Sequence, residues 1–346
     1  MLLRVRQVFF AFTLKLSPAR RALYLIALVI ALIGVLKLYR DWATISIPFG
    51  TPWFSVAVLA PRWADGTFAL LISIILINLL LLLEVADRLS LKGELEVARE
   101  IQLAMLPTGT YTAGEAEICG ITRPANTVGG DFYDVLPLAG DPDGRVIITI
   151  GDVAGKGSPA ALLMALLLAV LRTLVDEKLE ARALAARLNT QICRHSPGSR
   201  FITLFYGVYT PATGAFTYVN AGQNPPLLRR TDGSYERLRA GGMALGMFEN
   251  ATYSAGRVEL AAGDVLVMYS DGITEAEDSL ERPFDEAGVQ GVVDGRDWAS
   301  AKELGWAMFA AVETHRQERR LLDDLTVLVA RRLPPLPVVP VAPVAG

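Results

Sequence analysis

Residues 145–160, RVIITIGDVAGKGSPA, decide how this chain is read. An apolar, β-branched run ends on Gly151-Asp152, a glycine-rich turn follows, and Ser158-Pro159 opens a helix. An ionised Asp at the end of such a strand is costly to desolvate alone. Three more acidic islands have the same setting: VGGDFYD around Asp131, YSDG around Asp271, and DDLT at Asp323 and Asp324. Each adjoins a β-type stretch, and most are edged by glycine, which lets carbonyls and waters approach closely. A lone Asp-Gly is usually a turn, so the weight rests on the combination. Strand ends that gather distant carboxylates suit a hard divalent cation. With only His195, His315, Cys119 and Cys193, the chain has little material for zinc and favours Mg²⁺ or Mn²⁺. The cysteines have no CxxC spacing and read as buried, reduced thiols.

Outward from this stretch, β-rich runs are expected at 116–123, 131–138, 145–153, 202–210, 214–221, 226–230, 252–260, 264–270 and 325–331. Helical patterns fall at 158–177, 180–195 and 298–317. Strands in blocks, with helices in between rather than strictly alternating, predict α+β layers with mainly antiparallel sheet. The run AALLMALLLAVLRTLV is apolar enough to suggest a membrane span. It is short, carries Arg172 and starts at Ser158-Pro159, which predicts a helix buried on a sheet.

The chain has 346 residues, of which 52% are hydrophobic, more than an average soluble protein of this size. The excess lies in two segments, 21–40 and 67–83, each near the lower length limit for a transmembrane helix. A signal-peptide reading of the first is opposed by Lys37, Tyr39 and Arg40, which stand where small cleavage-site residues belong. Residues 1–90 hold nine Lys/Arg against four Asp/Glu, about +5 out of an overall −3, leaving about −8 on the remainder. Arg4, Arg6, Lys15, Arg20 and Arg21 precede the first span, so the positive-inside rule keeps segment 1–20 in the cytoplasm. Two spans return the C-terminal domain to the same side of an inner (cytoplasmic) membrane. Between them, 41–66 reads as an extracytoplasmic or interfacial loop rather than a third helix, which would reverse one end.

Residues 84–107 form a predicted linker helix that stops at Pro107. Leu91, Leu95, Ala98, Gln102 and Met105 recur in four-three steps, which leaves two readings open: a coiled-coil seam in a homodimer, or a stripe packed on the following domain. That domain spans 108–333. The tail 334–346 is proline-rich and expected to be extended or disordered. The acidic cytoplasmic part has no basic stripe with interleaved aromatics, which excludes nucleic acid as a partner class.

Two cations sharing a carboxylate can hold a water in line with a phosphorus atom, so the constellation suits phosphate-ester hydrolysis without a covalent nucleophile. The ordered motifs LEVAREIQLAMLP, PANTVGGDFYD, IGDVAGKGSPAALLMA, FITLFYGVY, YVNAGQNPPLL, LAAGDVLVMYSDGITEA and DDLTVLVA resemble the bacterial SpoIIE/RsbU branch of the PPM-type (protein phosphatase 2C-like) Ser/Thr phosphatases over about residues 95–331. The resemblance implies an α+β fold, a four-layer α-β-β-α sandwich with two Mn²⁺ or Mg²⁺ ions at one end of the sheets. It makes Asp152 the bridging ligand, with the Val153 carbonyl also ligating. Asp271 and Asp323 complete one site, Asp131 serves the other directly or through water, and Asp324 stands behind them. Where the family has NAGHNPP, this chain has Gln223, which does not titrate and cannot carry a proton. Lys156 is a candidate contact for the substrate phosphate, with a solvated lysine as the alternative. His195 and His315 end helical runs and read as dipole partners or surface residues.

The resemblance further implies a phosphoserine or phosphothreonine substrate on a STAS-domain anti-sigma-factor antagonist, within sigma-factor regulation. A membrane-anchored diguanylate cyclase is opposed by Phe132 after GGD, and a P-loop by Gly157 after Lys156. A catalytically weak or inactive PPM-fold module, tethered to the membrane to bind a partner, stays as the alternative.

Overall fold

The computed structural model describes residues 16–40, 42–48, 55–61, 63–196 and 200–334. The proline-rich tail, apart from Pro334, and the cations Arg4, Arg6 and Lys15 lie outside these residues. The chain divides into two compact units, Met1–Glu94 and Leu95–Gly346.

In the first unit, helix α1 (Pro18–Arg40) is followed by strands β1 (Trp42–Pro48) and β2 (Ser55–Pro61), and then by helix α2 (Trp63–Met105), which continues into the second unit. The strands pair antiparallel from Trp42↔Pro61 to Pro48↔Ser55, so the expected loop is a hairpin. Its β-branched WATISI and SVAVLA runs favour a pleated backbone. The two apolar helices meet at glycines. A Cβ on Gly34 would stand 2.9 Å from Leu70 Cγ, and one on Gly66 would stand 2.8 Å from Leu38 Cγ. Small residues permit this close approach between apolar helices. Ser73 Oγ donates to the Ala27 carbonyl at 2.8 Å, and Arg20 pairs with Glu84 and Asp87 at 3.3 and 2.7 Å. Outward faces stay apolar, with Leu25, Ile26, Leu32, Phe68 and Ile75 exposed, as suits membrane association. The second apolar segment and the linker, expected as separate pieces, are one unbroken helix.

In the second unit, one sheet has the order β10-β9-β13-β14-β4-β3, formed by Tyr235–Arg237, Leu227–Arg229, Val265–Tyr269, Leu325–Arg332, Ala116–Arg123 and Thr110–Ala113. The other has the order β11-β8-β7-β6-β5, formed by Gly241–Gly242, Ala215–Ala221, Ile202–Thr210, Val146–Val153 and Phe132–Pro137, with β12 (Gly256–Glu259) also on β8. Neighbouring strands are antiparallel except for the two-residue β11 beside β8.

Strand alternation builds the layers. Ile148, Ile150, Phe205, Phe216, Met268 and Leu328 fill the space between the sheets. Ile147 and Val219 face helices α3 (Ser158–Val175) and α4 (Ala181–His195), while Val267 and Val327 face α6 (Asp285–Asp294) and α7 (Ala301–Arg316). This is the expected α-β-β-α sandwich. Helix α3 is long and apolar enough to cross a membrane, yet Leu163, Met164, Leu167, Leu168 and Leu171 are all buried in the domain. The short β3, β10, β11 and the one-turn α5 (Asp271–Thr274) carry too little periodicity to be read from sequence, and the ten-residue α6 is not expected from it either.

Candidate active site

Antiparallel register brings the acidic islands together. Asp152 near the end of β6 lies opposite Thr203 of β7, and Asp131 immediately precedes β5, whose Phe132 pairs with Gly151. In the facing sheet, β13 delivers Ser270 and Asp271, while Asp323 and Asp324 lead into β14, paired with β13 through Tyr269↔Val327. All four islands therefore sit at one end of the two sheets.

The carboxylates crowd one another. Asp131 is 4% exposed, and its Oδ2 has no hydrogen-bond partner among the described residues. Burial, then the charges of Asp152 and Asp324, push its carboxyl well above the usual range, against smaller opposing effects of Thr326 and Ser270. Asp152 is pushed up to about 7 by burial, then by Asp271, Asp323 and Asp324. Asp271 is raised by burial and by Asp323. Like charges gathered in a partly dry site produce these directions, and a cation would reverse them.

Gly130 allows the two strand ends to close. A Cβ there would stand 2.8 Å from both Asp152 Oδ1 and the Val153 carbonyl oxygen. Asp324 is committed to this loop: its Oδ1 accepts from Ala125 N at 2.7 Å, and its Oδ2 from Gly130 N at 2.7 Å and Asp131 N at 3.4 Å. The linker helix reaches the same loop. Gln102, which is buried, donates through Nε2 to the Gly129 carbonyl at 2.7 Å and accepts from Gly129 N at 3.2 Å. Met105 also packs on the core beneath α3, so the last turns of the expected seam lie on the catalytic domain, and Leu91 is exposed.

Lys156 is placed on a carboxylate. Its Nζ pairs with Asp323 Oδ2 at 2.9 Å and donates to the Leu322 carbonyl. Gln223 ties the two sheets behind the site. It is buried, donates through Nε2 to the Tyr269 carbonyl of β13 at 3.3 Å, and its backbone N donates to Asn220 Oδ1 at 2.8 Å. The Thr203 hydroxyl lies within hydrogen-bonding reach of both Gln223 Oε1 and the Asp152 carbonyl oxygen. The side chain at the histidine position of the motif is therefore a cross-sheet strut.

His195 closes α4, and His315 lies in the last turn of α7 with Nε2 2.9 Å from the Arg282 carbonyl oxygen. Both stand apart from the carboxylates. Cys119 is buried as expected, whereas Cys193 is only half-buried; both are free thiols. One group went unread. Glu275, capping α5 with its N bonded to the Asp271 carbonyl at 2.7 Å, is exposed, and its carboxyl is raised by burial, then by Asp271 and Asp323. Its spacing of four from Asp271, one helical turn, was the available signal.

Among the described residues, no three Asp, Glu, His or Cys side chains already form a group that could hold an ion. The donor set still fits a hard cation: all oxygen, overcharged, with one buried carboxylate oxygen unanswered and a backbone carbonyl alongside. Asp323 is meanwhile occupied by the Lys156 ammonium at 2.9 Å.

This fold is that of PP2C-like phosphatases. The SiaA PP2C domain of Pseudomonas aeruginosa superimposes with a TM-score of 0.61 at 21% identity, covering 71% of this chain and 98% of that one. The RsbU and RsbW domains of Rv1364c from Mycobacterium tuberculosis give 0.52 at 26%, covering 64% and 62%, so the match spans less than two thirds of that protein. Residues 142–333 match the family described as Stage II sporulation protein E (SpoIIE). Phosphoserine phosphatase RsbU of Bacillus subtilis (strain 168) is 30% identical over 246 residues, 70% of this chain and 71% of that protein. The chain belongs to the SpoIIE family.

Proposed function

We propose that this chain is a membrane-anchored, metal-dependent protein phosphatase that removes phosphate from a phosphoserine or phosphothreonine of a STAS-domain anti-sigma-factor antagonist. The enzyme class is that of a Ser/Thr phosphatase. The observation that carries the reading is the unanswered, buried Asp131 carboxylate crowded by Asp152 at the end of two packed sheets. Asp131, Asp152 with the Val153 carbonyl, Asp271 and Asp323 would hold Mn²⁺ or Mg²⁺, two ions by the family resemblance. Such ions supply a Lewis acid and a water acidified enough to act as nucleophile at neutral pH. Asp324 holds the Asp131 loop through three backbone amides, and Gln223 fixes the Asp152 and Tyr269 strand ends relative to each other. Lys156, once released from Asp323, is the cation placed to meet the substrate phosphate.

The apolar faces of α1 and α2 support anchoring, and the N-terminal basic excess supports a cytoplasmic N-terminus and catalytic domain. The Gln102 contact with Gly129 supports control through the linker helix, whose movement would shift the loop carrying Asp131. Pairing of linker helices in a homodimer is one way to drive that movement.

The test is Mn²⁺-dependent hydrolysis of p-nitrophenyl phosphate and of a phosphorylated STAS protein by the full chain, beside Asp152→Asn and Asp271→Asn. Turnover lost in both variants is the expected result. Absence of metal-dependent turnover in the wild type would leave the binding-module reading standing. A fragment beginning near Glu94 is expected to differ in rate from the membrane-bound chain; equal rates with and without membrane would sink the control model.

A further inference from the structure

A cavity of about 610 Å³ opens beside the carboxylates, between the segment after α5 and the turn joining α7 to β14, with Lys156 and Asp323 among its lining residues. That volume suits a few residues of an extended peptide. Arg316, Arg319 and Arg320 all line it, but they are not equivalent. Arg319 pairs with Glu277 at 2.7 Å and Glu281 at 3.3 Å, and Arg316 with Glu313 and the Arg319 carbonyl. These two brace the wall and have their charge answered.

Arg320 is free of that duty. It is exposed, its Nη2 donates to Asn126 Oδ1 at 3.0 Å, and no carboxylate pairs with it among the described residues. Leu322 lines the same cavity and is 67% exposed. Across the cavity, Glu277 is neutralised by Arg319, which leaves Glu275 as the opposing acid. A preformed pocket with one unanswered guanidinium and an apolar side chain recognises a carboxylate on a short aliphatic stem, which the planar fork can grip through two hydrogen bonds.

We propose that this cavity is a substrate subsite holding an acidic residue next to the phosphorylated serine or threonine, with Arg320 as the specificity-determining residue. The proposal rests on the phosphatase reading above. An extended phosphopeptide with its phosphate at the carboxylate cluster would place a neighbouring side chain beyond Asp323, where the cavity lies. Arg320 attracts Asp or Glu there and repels Lys or Arg.

The test uses the full chain with Mn²⁺ and phosphoserine peptides carrying Asp, Ala or Lys at the two positions on either side of the phosphoserine. Rates are taken relative to each variant's own p-nitrophenyl phosphate turnover. The expected kcat/KM for Asp peptides exceeds that for Lys peptides by about tenfold, as for one charge-assisted contact at a partly open site. Arg320→Glu is expected to invert the ratio and Arg320→Lys to retain part of it. The control Arg257→Glu, an exposed charge on β12 outside the cavity, should leave it unchanged. An Asp/Lys ratio that Arg320→Glu does not move, one that Arg257→Glu moves equally, or a wild-type preference for Lys peptides through Glu275 overturns the subsite. Loss of aryl-phosphate turnover in the wild type would count against the phosphatase reading instead. In that case fluorescently labelled copies of the same peptides survive uncleaved, and fluorescence anisotropy reads the same Asp-to-Lys preference as binding.

Discussion

Asp131 and Asp134 lie three residues apart at β5, and both are buried, at 4% and 1% exposure. Asp134 is answered: Arg172 Nε donates to its Oδ2 at 2.8 Å and Val135 N to its Oδ1 at 3.0 Å. Asp264, equally buried, is held by Arg230 at 2.8 Å and by the amides of Thr231 and Ala261. Asp131 keeps an oxygen with no donor and has carboxylates for neighbours. Buried carboxylates that hold a fold together are paired, because an unpaired one is expensive. A fold that satisfies Asp134 and Asp264 while crowding Asp131 leaves there the kind of charge a bound cation would answer.

Substitution at the two places should give opposite results. Asp131→Asn and Asp152→Asn are expected to reduce Mn²⁺-dependent turnover by about 1,000-fold or more, because each would remove a ligand of the proposed metal centre. Their thermal midpoints in EDTA should hold or rise, since like-charge repulsion is relieved. A large fall in that midpoint would break the comparison. Arg172→Met should do the reverse, stranding Asp134 and costing about 3 kcal/mol in urea unfolding while the folded fraction keeps its Mn²⁺ affinity.

Gly130→Ala sharpens the contrast without changing charge. The added methyl meets Asp152 Oδ1 and the Val153 carbonyl, so calorimetry should show Mn²⁺ binding weakened by about 10- to 100-fold with the fold intact. The pH dependence follows from Asp152, whose carboxyl is pushed up to about 7 in the metal-free protein. Protons compete with the ion as pH falls through that value, so affinity should be about tenfold weaker at pH 6 than at pH 8. The same raised value means that metal-free stability loses ground as pH rises from the unfolded-state range near 4 towards 7. The smallest effect is expected at the strut: Gln223→Leu removes the Nε2 donor from the Tyr269 carbonyl and leaves the Thr203 hydroxyl with only the Asp152 carbonyl, costing about 1 kcal/mol in urea unfolding. Gln223→His, if it restores the bond to Tyr269, should recover most of that loss.

Much of this is legible in the sequence. Strands at 116–123 and 202–210 lie where the pattern of β-branched residues puts them; strands in blocks with helices between indicate α+β layers with mainly antiparallel sheet, and the four-layer sandwich came from the family resemblance. The glycine-edged aspartates were readable because a charge at the end of an apolar run is an anomaly with few explanations. Glu275 escaped because its carboxylate gains meaning only beside Asp271 and Asp323. Arg320 escaped for the same reason: its neighbours Arg316 and Arg319 look identical to it in sequence, and only their partners Glu313, Glu277 and Glu281 distinguish them. The hairpin at 42–61 was missed because its short, uncharged strands have the composition of an interfacial loop.

The sequence by itself determined the longer strands and helices, the two apolar segments, the α+β layering and the type of metal the aspartates suit, because hydrophobic periodicity and side-chain chemistry are local properties of the chain. Only the tertiary structure decided which carboxylates are answered. It placed Asp324 on backbone amides, Lys156 on Asp323 and Gln223 between the sheets, and it left one oxygen of Asp131 without a donor. Those outcomes depend on pairings across tens to about two hundred residues, set by strand register and burial, and no local pattern encodes them.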